Sequence, residues 1–185
     1  NNQMYIATNQ SVWQYDMEKH QTINVSGCEG QNWYLAAMNT QVFVGNNNGI
    51  KNIVGDKSFN LSNTINGSTC LKEYHLFGQH ALIESSYTIF HFFRKEGNRW
   101  VNRQDINGFS APIREFEIDN TGVLWAAHMS KGLYRLTLSK DLSRFTKVQY
   151  YPSLNNGPGQ MFHVMNINGR VVFSYNNGLY TYDDI

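Results

Sequence analysis

The chain has 185 residues, enough to bury a core as one domain without a disulfide or a metal to hold it together. Its formal net charge is +1 and only 16% of its residues are charged, so electrostatic binding to nucleic acid or to an acidic membrane surface is not expected. Aromatic residues make up 14% of the chain, proline occurs three times, and Asn-Gly pairs are frequent. This composition favours strands joined by tight turns and predicts an all-β fold.

No apolar run of about 18 residues occurs, so direct membrane insertion by this segment is not expected. The first residues also lack the basic start and apolar middle of a signal peptide, and a signal or membrane anchor is expected to lie outside this segment if there is one. Cys28 and Cys70 fit neither a zinc motif nor a C-x-x-C redox pair. The sequence leaves a disulfide between them open and indicates no cofactor.

One pattern occurs five times along the chain: an apolar strand, a short polar or glycine turn, and a strand that opens with an aromatic or aliphatic residue. The copies read MYIATNQSVWQYD, VFVGNNNGIKNIVGD, ALIESSYTIFHFF, VLWAAHMSKGLYRLTL and VVFSYNNGLYTYDD. When the copies are aligned on the apolar residue before a small one, the anchors are Ile6, Val44, Ile83, Trp125 and Phe173. Successive anchors are 38, 39, 42 and 48 residues apart.

A period of about 40 residues with about four short strands per unit predicts a β-propeller, a ring of four-stranded antiparallel blades. The approximate units are 1–27, 28–67, 68–108, 109–155 and 156–185. First strands are expected at 33–38, 113–118 and 161–167, and an outer strand at 144–150. Gly122, Gly132 and Gly178 are expected in turns that need a positive φ or a residue without Cβ.

Blades that stack face to face cover their middle strands on both sides, which explains the continuous apolar run VLWAA. The residue after the anchor is small in four copies, as expected where blades crowd together, and is Glu84 in the third copy. A β-sandwich would also show short strands, but it has no reason to repeat one phrase at a fixed interval. The length accommodates four to five blades, and we expect a part of a larger ring whose exposed edges are covered by a partner or a second copy.

The segment REFEIDNTGVLWAAHMSKGLYRL resembles the regulator-propeller repeat of bacterial two-component sensors. INGRVVFSYNNGLYTYDD is similar to a degenerate version of it, and FTKVQYYPSLNNGPGQMFHVMNINGR resembles the Gly/Pro link between blades. The resemblance extends over nearly the whole chain, but only residues 119–136 match closely. It implies a periplasmic sensor region of a Bacteroides-type hybrid histidine kinase or of a related membrane-bound transcription regulator. In that family the propellers precede an immunoglobulin-like domain and a membrane helix, and many members detect glycan-derived oligosaccharides.

Tryptophans are the first candidates for a sugar contact, because an aromatic face packs well against a pyranose ring. Trp125 lies in an apolar run and is expected in the core. Trp13, Trp33 and Trp100 are open candidates, and Trp100 lies next to a predicted turn. Glu84 could direct a carboxylate into a pocket, although a locally paired carboxylate is the simpler interpretation.

The remaining polar residues predict no catalytic or metal site. Glu115, Glu117 and Asp119 alternate along one strand, and Asp119 is best explained as the start of the turn to Gly122. The chain's acids form no set like the carboxylate pair of a glycosidase. The histidines match no metal motif, and an approach of His75 to His80 is best explained by chance.

Three functions remain open at this stage. The leading hypothesis is a non-enzymatic periplasmic sensor propeller whose oligosaccharide ligand, or a partner, changes how blades or two receptor copies pack. A kinase activity would then reside in parts of the receptor outside this segment. The alternatives are a fragment of a glycan-cleaving propeller enzyme, with Glu84 or Asp119 as the acids to test, and a passive protein-binding scaffold.

Overall fold

The computed structural model describes residues 3–38, 40–62, 65–154 and 160–183. Every regular element within these ranges is a β-strand, and the strands form five antiparallel sheets that follow one another along the chain. Consecutive strands pair with each other in every sheet. No helix in the described ranges is long and apolar enough to cross a membrane.

The strands are numbered in chain order. The first sheet contains β1 Met4–Ala7, β2 Val12–Asp16 and β3 Gln21–Asn24. The second contains β4 Asn32–Met38, β5 Gln41–Asn46, β6 Gly49–Val54 and β7 Lys57–Asn60, and the third contains β8 Cys70–Tyr74, β9 Ala81–Ser85, β10 Phe90–Glu96 and β11 Arg99–Ile106. The fourth contains β12 Ile113–Ile118, β13 Val123–His128, β14 Leu133–Leu138 and β15 Phe145–Tyr151, and the fifth contains β16 His163–Ile167, β17 Arg170–Tyr175 and β18 Gly178–Thr181.

Among the described residues, four hydrophobic clusters hold the sheets together, one between each pair of consecutive sheets. β13 shows why its sequence is a solid apolar run. Trp125 packs in the cluster with the fifth sheet, whereas Leu124 and Ala126 pack in the cluster with the third. Both faces of the strand are therefore buried, and the prediction of stacked propeller blades is confirmed.

The outer strands show which blade positions the first sheet occupies. Asn107, just after the fourth strand of the third sheet, bridges to Arg144, where the fourth strand of the next sheet begins. Ser26, just after β3, makes the same parallel bridge to Lys57 in β7. β3 therefore takes the place of a fourth strand, and β1 that of a second strand. This position agrees with the alignment of Ile6 with the anchors of β5, β9, β13 and β17.

The turn between β12 and β13 is held by Asp119. Its Oδ1 accepts hydrogen bonds from the backbone N–H groups of Thr121 (2.9 Å) and Val123 (3.0 Å), and its Oδ2 accepts one from Trp125 Nε1 (2.9 Å). Gly122 completes the turn with φ +86°. The turn role that the sequence predicts for Asp119 is confirmed. The Gly/Pro part of the predicted link between blades, 155–159, lies outside the described residues.

Candidate functional site

The first strands of four consecutive sheets, β4, β8, β12 and β16, surround a cavity of about 430 Å³. We call it the central cavity. β4 contacts β8, β8 contacts β12, and β12 contacts β16, so the lining comes from four separate blades. The polar and aromatic residues of the lining include Trp33, Lys72, Arg114, Glu115, Glu117 and His163.

Polar contacts join neighbouring blades in the wall of the central cavity. Lys72 Nζ on β8 donates a hydrogen bond of 2.5 Å to Glu117 Oε1 on β12. Glu115 Oε1 on β12 accepts a hydrogen bond of 2.9 Å from the backbone N–H of Val164 on β16 and lies 3.1 Å from His163 Nδ1. The lining therefore offers both hydrogen-bond donors and acceptors, which suits a ligand with several hydroxyl groups.

Trp33 gives the central cavity an aromatic face. Its side chain is 37% exposed, which is unusual for a large aromatic residue in an inner strand. Its Nε1 donates to Asn47 Oδ1 at 3.1 Å, and Tyr87 packs edge-on against its ring with centroids 6.1 Å apart. The Tyr87 hydroxyl donates to the same Asn47 oxygen at 2.8 Å. The ring is thus fixed in orientation while part of its surface stays open.

Both cysteines are buried and free, so they form no disulfide. Cys70 lies on β8 in the wall of the central cavity, with Sγ 3.8 Å from the carbonyl oxygen of Phe116. Burial raises the pKa of its thiol to about 11. Burial also raises the pKa of Cys28. Neither thiol has the lowered pKa of a reactive nucleophile.

Glu84 lies inside the stack of sheets and does not line the central cavity. Its carboxylate oxygen Oε2 is 2.7 Å from Nδ1 of His91, the residue directly opposite it on β10. Burial raises the pKa of Glu84, and the hydrogen bond with His91 opposes that rise. The structure therefore places Glu84 in a local pair, which is the simpler of the two interpretations of its sequence.

Trp100 lies on β11, close to the turn that the sequence predicts, but it is only 8% exposed. It packs in the cluster between the second and third sheets, and its Nε1 donates to Gln41 Oε1 at 3.2 Å. His80 packs edge-on against its ring at a centroid distance of 5.2 Å. Trp100 is thus separate from the central cavity, and as a ligand contact it stays a prediction.

Most of the repeat anchors are structural. Val44, Ile83, Trp125 and Phe173 are buried in the second strands of their sheets, whereas Ile6 is 38% exposed. Trp125 packs against Phe173 with ring centroids 4.8 Å apart, and the Arg135 guanidinium lies 5.5 Å from the Trp125 centroid. The core position expected for Trp125 is confirmed.

Gly132 and Gly178, the other two glycines predicted in turns, both lie against tyrosine rings. At either position a Cβ would come within 3.0 Å of the ring, that of Tyr150 or of Tyr180. Gly132 also has φ +88°, whereas Gly178 does not lie in the turn itself but is the first residue of β18, paired with Tyr175.

Sequence reasoning missed most of the central cavity. It noted that Glu115 and Glu117 share a face, but it did not connect them with Lys72 or His163. Those partners lie on other blades, 45 and 48 residues away along the chain. The one available signal was that Glu115, Glu117 and His163 fall in predicted first strands of repeat units, whereas no first strand was predicted around Lys72.

Comparisons with known proteins agree on the fold. No protein-family model matches the chain, and no curated protein sequence matches it. Among solved structures, the chain is similar to the extracellular domain of a protein from Bacteroides thetaiotaomicron described as a hybrid two-component system, with a TM-score of 0.70 and 11% identity. The match covers 97% of this chain and 25% of that one, so the chain spans about a quarter of the length of this neighbour.

Two further matches show how broad the fold is. The WD40 β-propeller domain of Doa1 matches 97% of this chain and 59% of its own, with a TM-score of 0.63 and 10% identity. Hydrazine synthase from Kuenenia stuttgartiensis matches 92% and 51%, with a TM-score of 0.64 and 13% identity. The chain therefore has a β-propeller fold, and its structural neighbours include both an extracellular domain of a hybrid two-component system and an enzyme.

Proposed function

We propose that this chain forms part of the extracytoplasmic sensor propeller of a two-component signalling receptor and has no catalytic activity of its own. The observation that carries the proposal is the match of 97% of the chain to the extracellular domain of a hybrid two-component system. The resemblance of residues 119–136 to the sensor repeat supports it independently, because it rests on side chains and the structural match on backbone.

The central cavity is the ligand site in this proposal, and the ligand is a glycan-derived oligosaccharide. The volume of the central cavity, about 430 Å³, lies within the usual range of small-molecule sites. The exposed face of Trp33 suits a sugar ring, and Lys72, Glu115 and Glu117 suit its hydroxyl groups. These groups come from three different blades, which favours a ligand long enough to contact several of them.

Binding would signal through the packing of the blades. A ligand that contacts β4, β8 and β12 together binds best to one relative placement of these strands, and only such differential binding shifts a receptor between states. The remaining blades, an immunoglobulin-like domain and a second receptor copy are the proposed partners that would transmit the shift.

Calorimetric titration with a panel of glycan fragments tests the ligand and its location. We expect heat of binding with at least one fragment, and loss of that heat in the Trp33→Ala variant. Trp13→Ala is the matched control, because Trp13 lies on β2 away from the central cavity and should leave binding unchanged. Equal binding by both variants would contradict the site. No heat with any fragment, while the intact receptor still responds to those fragments in cells, would contradict direct sensing.

A further inference from the structure

The hairpin between β8 and β9 brings together three side chains of the types that ligate metal ions, Glu73, His75 and His80. Tyr74 and Ala81 are opposite each other at the end of the ladder, so His75 and His80 face each other across the next position. Glu73 lies two residues before His75, on the same face of the strand. His75 Nε2 is 3.4 Å from Glu73 Oε2, and His80 Nε2 is 3.4 Å from Glu73 Oε1.

The spacing of these atoms fits a metal ion. Two atoms that each lie about 2.0–2.1 Å from a tetrahedral zinc ion are about 3.4 Å apart. The two nitrogens and the carboxylate of this cluster all lie within 4.8 Å of one another. The two imidazole rings are stacked with centroids 4.2 Å apart and present the same ring nitrogen, Nε2, to the carboxylate.

Hydrogen bonds and ring packing hold the hairpin in place. Gln79 in the connecting turn accepts a hydrogen bond from Arg94 and donates one to the backbone oxygen of Lys140. The Gln79 backbone N–H donates to the Leu76 oxygen at 2.9 Å, which closes the turn. Trp100 packs against the His80 ring and is itself held by Gln41. Ligands held in this way lose little conformational entropy on binding.

We propose that Glu73, His75 and His80 form a surface site for a divalent transition metal ion, with Zn²⁺ as the probe of choice. Two imidazoles and one carboxylate are donors that suit zinc, copper, nickel and iron rather than calcium or magnesium. The histidine side chains are 56% and 41% exposed, so the remaining coordination positions face solvent and can accept water or a ligand atom. The site lies on the β8–β9 hairpin, and the proposal is independent of the sensor role.

Calorimetric titration of the purified, metal-free chain with ZnCl₂ tests the site. We expect one zinc ion per chain. The double variant His75→Ala/His80→Ala should lose at least about tenfold in affinity, because removing even a residue that hydrogen-bonds to a metal ligand costs that much. His20→Ala/His128→Ala is the matched control, since it removes two histidines that lie neither on this hairpin nor in the lining of the central cavity and should keep the affinity. Circular dichroism should give the same spectrum for all three proteins, because none of the exchanged histidines belongs to the buried core.

Cobalt(II) absorption identifies the donor atoms independently. We expect a visible d–d spectrum without a sulfur-to-cobalt band in the near ultraviolet, because both cysteines are buried. Absence of stoichiometric zinc binding, or equal affinity in the two double variants, would overturn the proposal. A sulfur-to-cobalt band that persists in the His75→Ala/His80→Ala variant would also overturn it, because the metal would then be bound by a thiolate.

Discussion

The third and fourth sheets follow the same plan but use two corresponding positions differently. In the fourth sheet, Ala126 follows the anchor Trp125 and is paired with Tyr134. In the third sheet, Glu84 follows the anchor Ile83 and is paired with His91. The fourth sheet fills this position with apolar packing, whereas the third buries a carboxylate and an imidazole there.

The hairpins between the first and second strands of these two sheets also differ. After its first strand the fourth sheet has Asp119, whose carboxylate is used entirely within the fold, on the turn and on Trp125. The third sheet has His75 in the corresponding place, and the histidine points with His80 toward Glu73 at the surface. Where a residue departs from the repeat and the fold does not use its side chain, that side chain is a candidate for binding a ligand.

Replacing Trp125 by alanine should give the largest effect, because it tests whether the fourth sheet is held by packing. Loss of a fully buried tryptophan costs about 3–5 kcal/mol of the free energy of unfolding. Trp33→Ala is the matched control and should cost about 1 kcal/mol, the order of its one hydrogen bond to Asn47. Urea unfolding of both variants measures the difference. Equal costs would mean that the central cavity, and not the contact between blades, dominates stability.

The regular parts of the fold could be predicted from the sequence because they depend on local patterns. The strand expected at 113–118 is Ile113–Ile118 in the structure, and the one expected at 161–167 is His163–Ile167. The central cavity could not be predicted, because Lys72 and Glu117 meet only once the blades are arranged around it. The pairing of His75 with His80 depends on the hairpin register.

The sequence does not predict this register because of the turn at Phe77. This residue has φ +53°, a conformation that bulky side chains rarely adopt and that the residue type therefore does not signal. Gly78, with φ +71°, follows it and is a usual turn residue. A six-residue connection from 75 to 80 was thus consistent with several registers until the structure placed Tyr74 opposite Ala81.

Asp119→Ala should have an intermediate effect and sharpens the contrast between the two hairpins. It removes the acceptor of the turn N–H groups and leaves the buried Trp125 Nε1 without its partner, for a cost of about 2 kcal/mol. Asp119→Asn keeps one oxygen for the turn and should cost about 1 kcal/mol. His75→Ala should change the free energy of unfolding by less than about 0.5 kcal/mol, because it is a surface change. Thermal or urea unfolding ranks the three, and a cost for His75→Ala as large as that for Asp119→Ala would remove the distinction drawn here.

Glu84→Gln should have the smallest effect, which depends on pH. Because burial raises the folded-state pKa of Glu84 above its ordinary value of 4.5, the folded protein holds this proton more tightly than the unfolded chain does. The stabilisation is fully present below pH 4.5 and is lost as the pH rises through the raised pKa. A glutamine does not titrate and can still accept a hydrogen bond from His91, so the stability of the variant relative to the parent should increase between pH 5 and pH 8.

Urea unfolding of the parent and of the Glu84→Gln variant at pH 5 and pH 8 gives the comparison. A Glu84→Gln variant that loses stability relative to the parent as the pH rises would mean that the ionised Glu84 is favoured by its pairing with His91 more than burial opposes it. The buried pair of the third sheet would then stabilise the fold in the same way as the apolar pair of the fourth, and the contrast between the two sheets would be reduced to their hairpins.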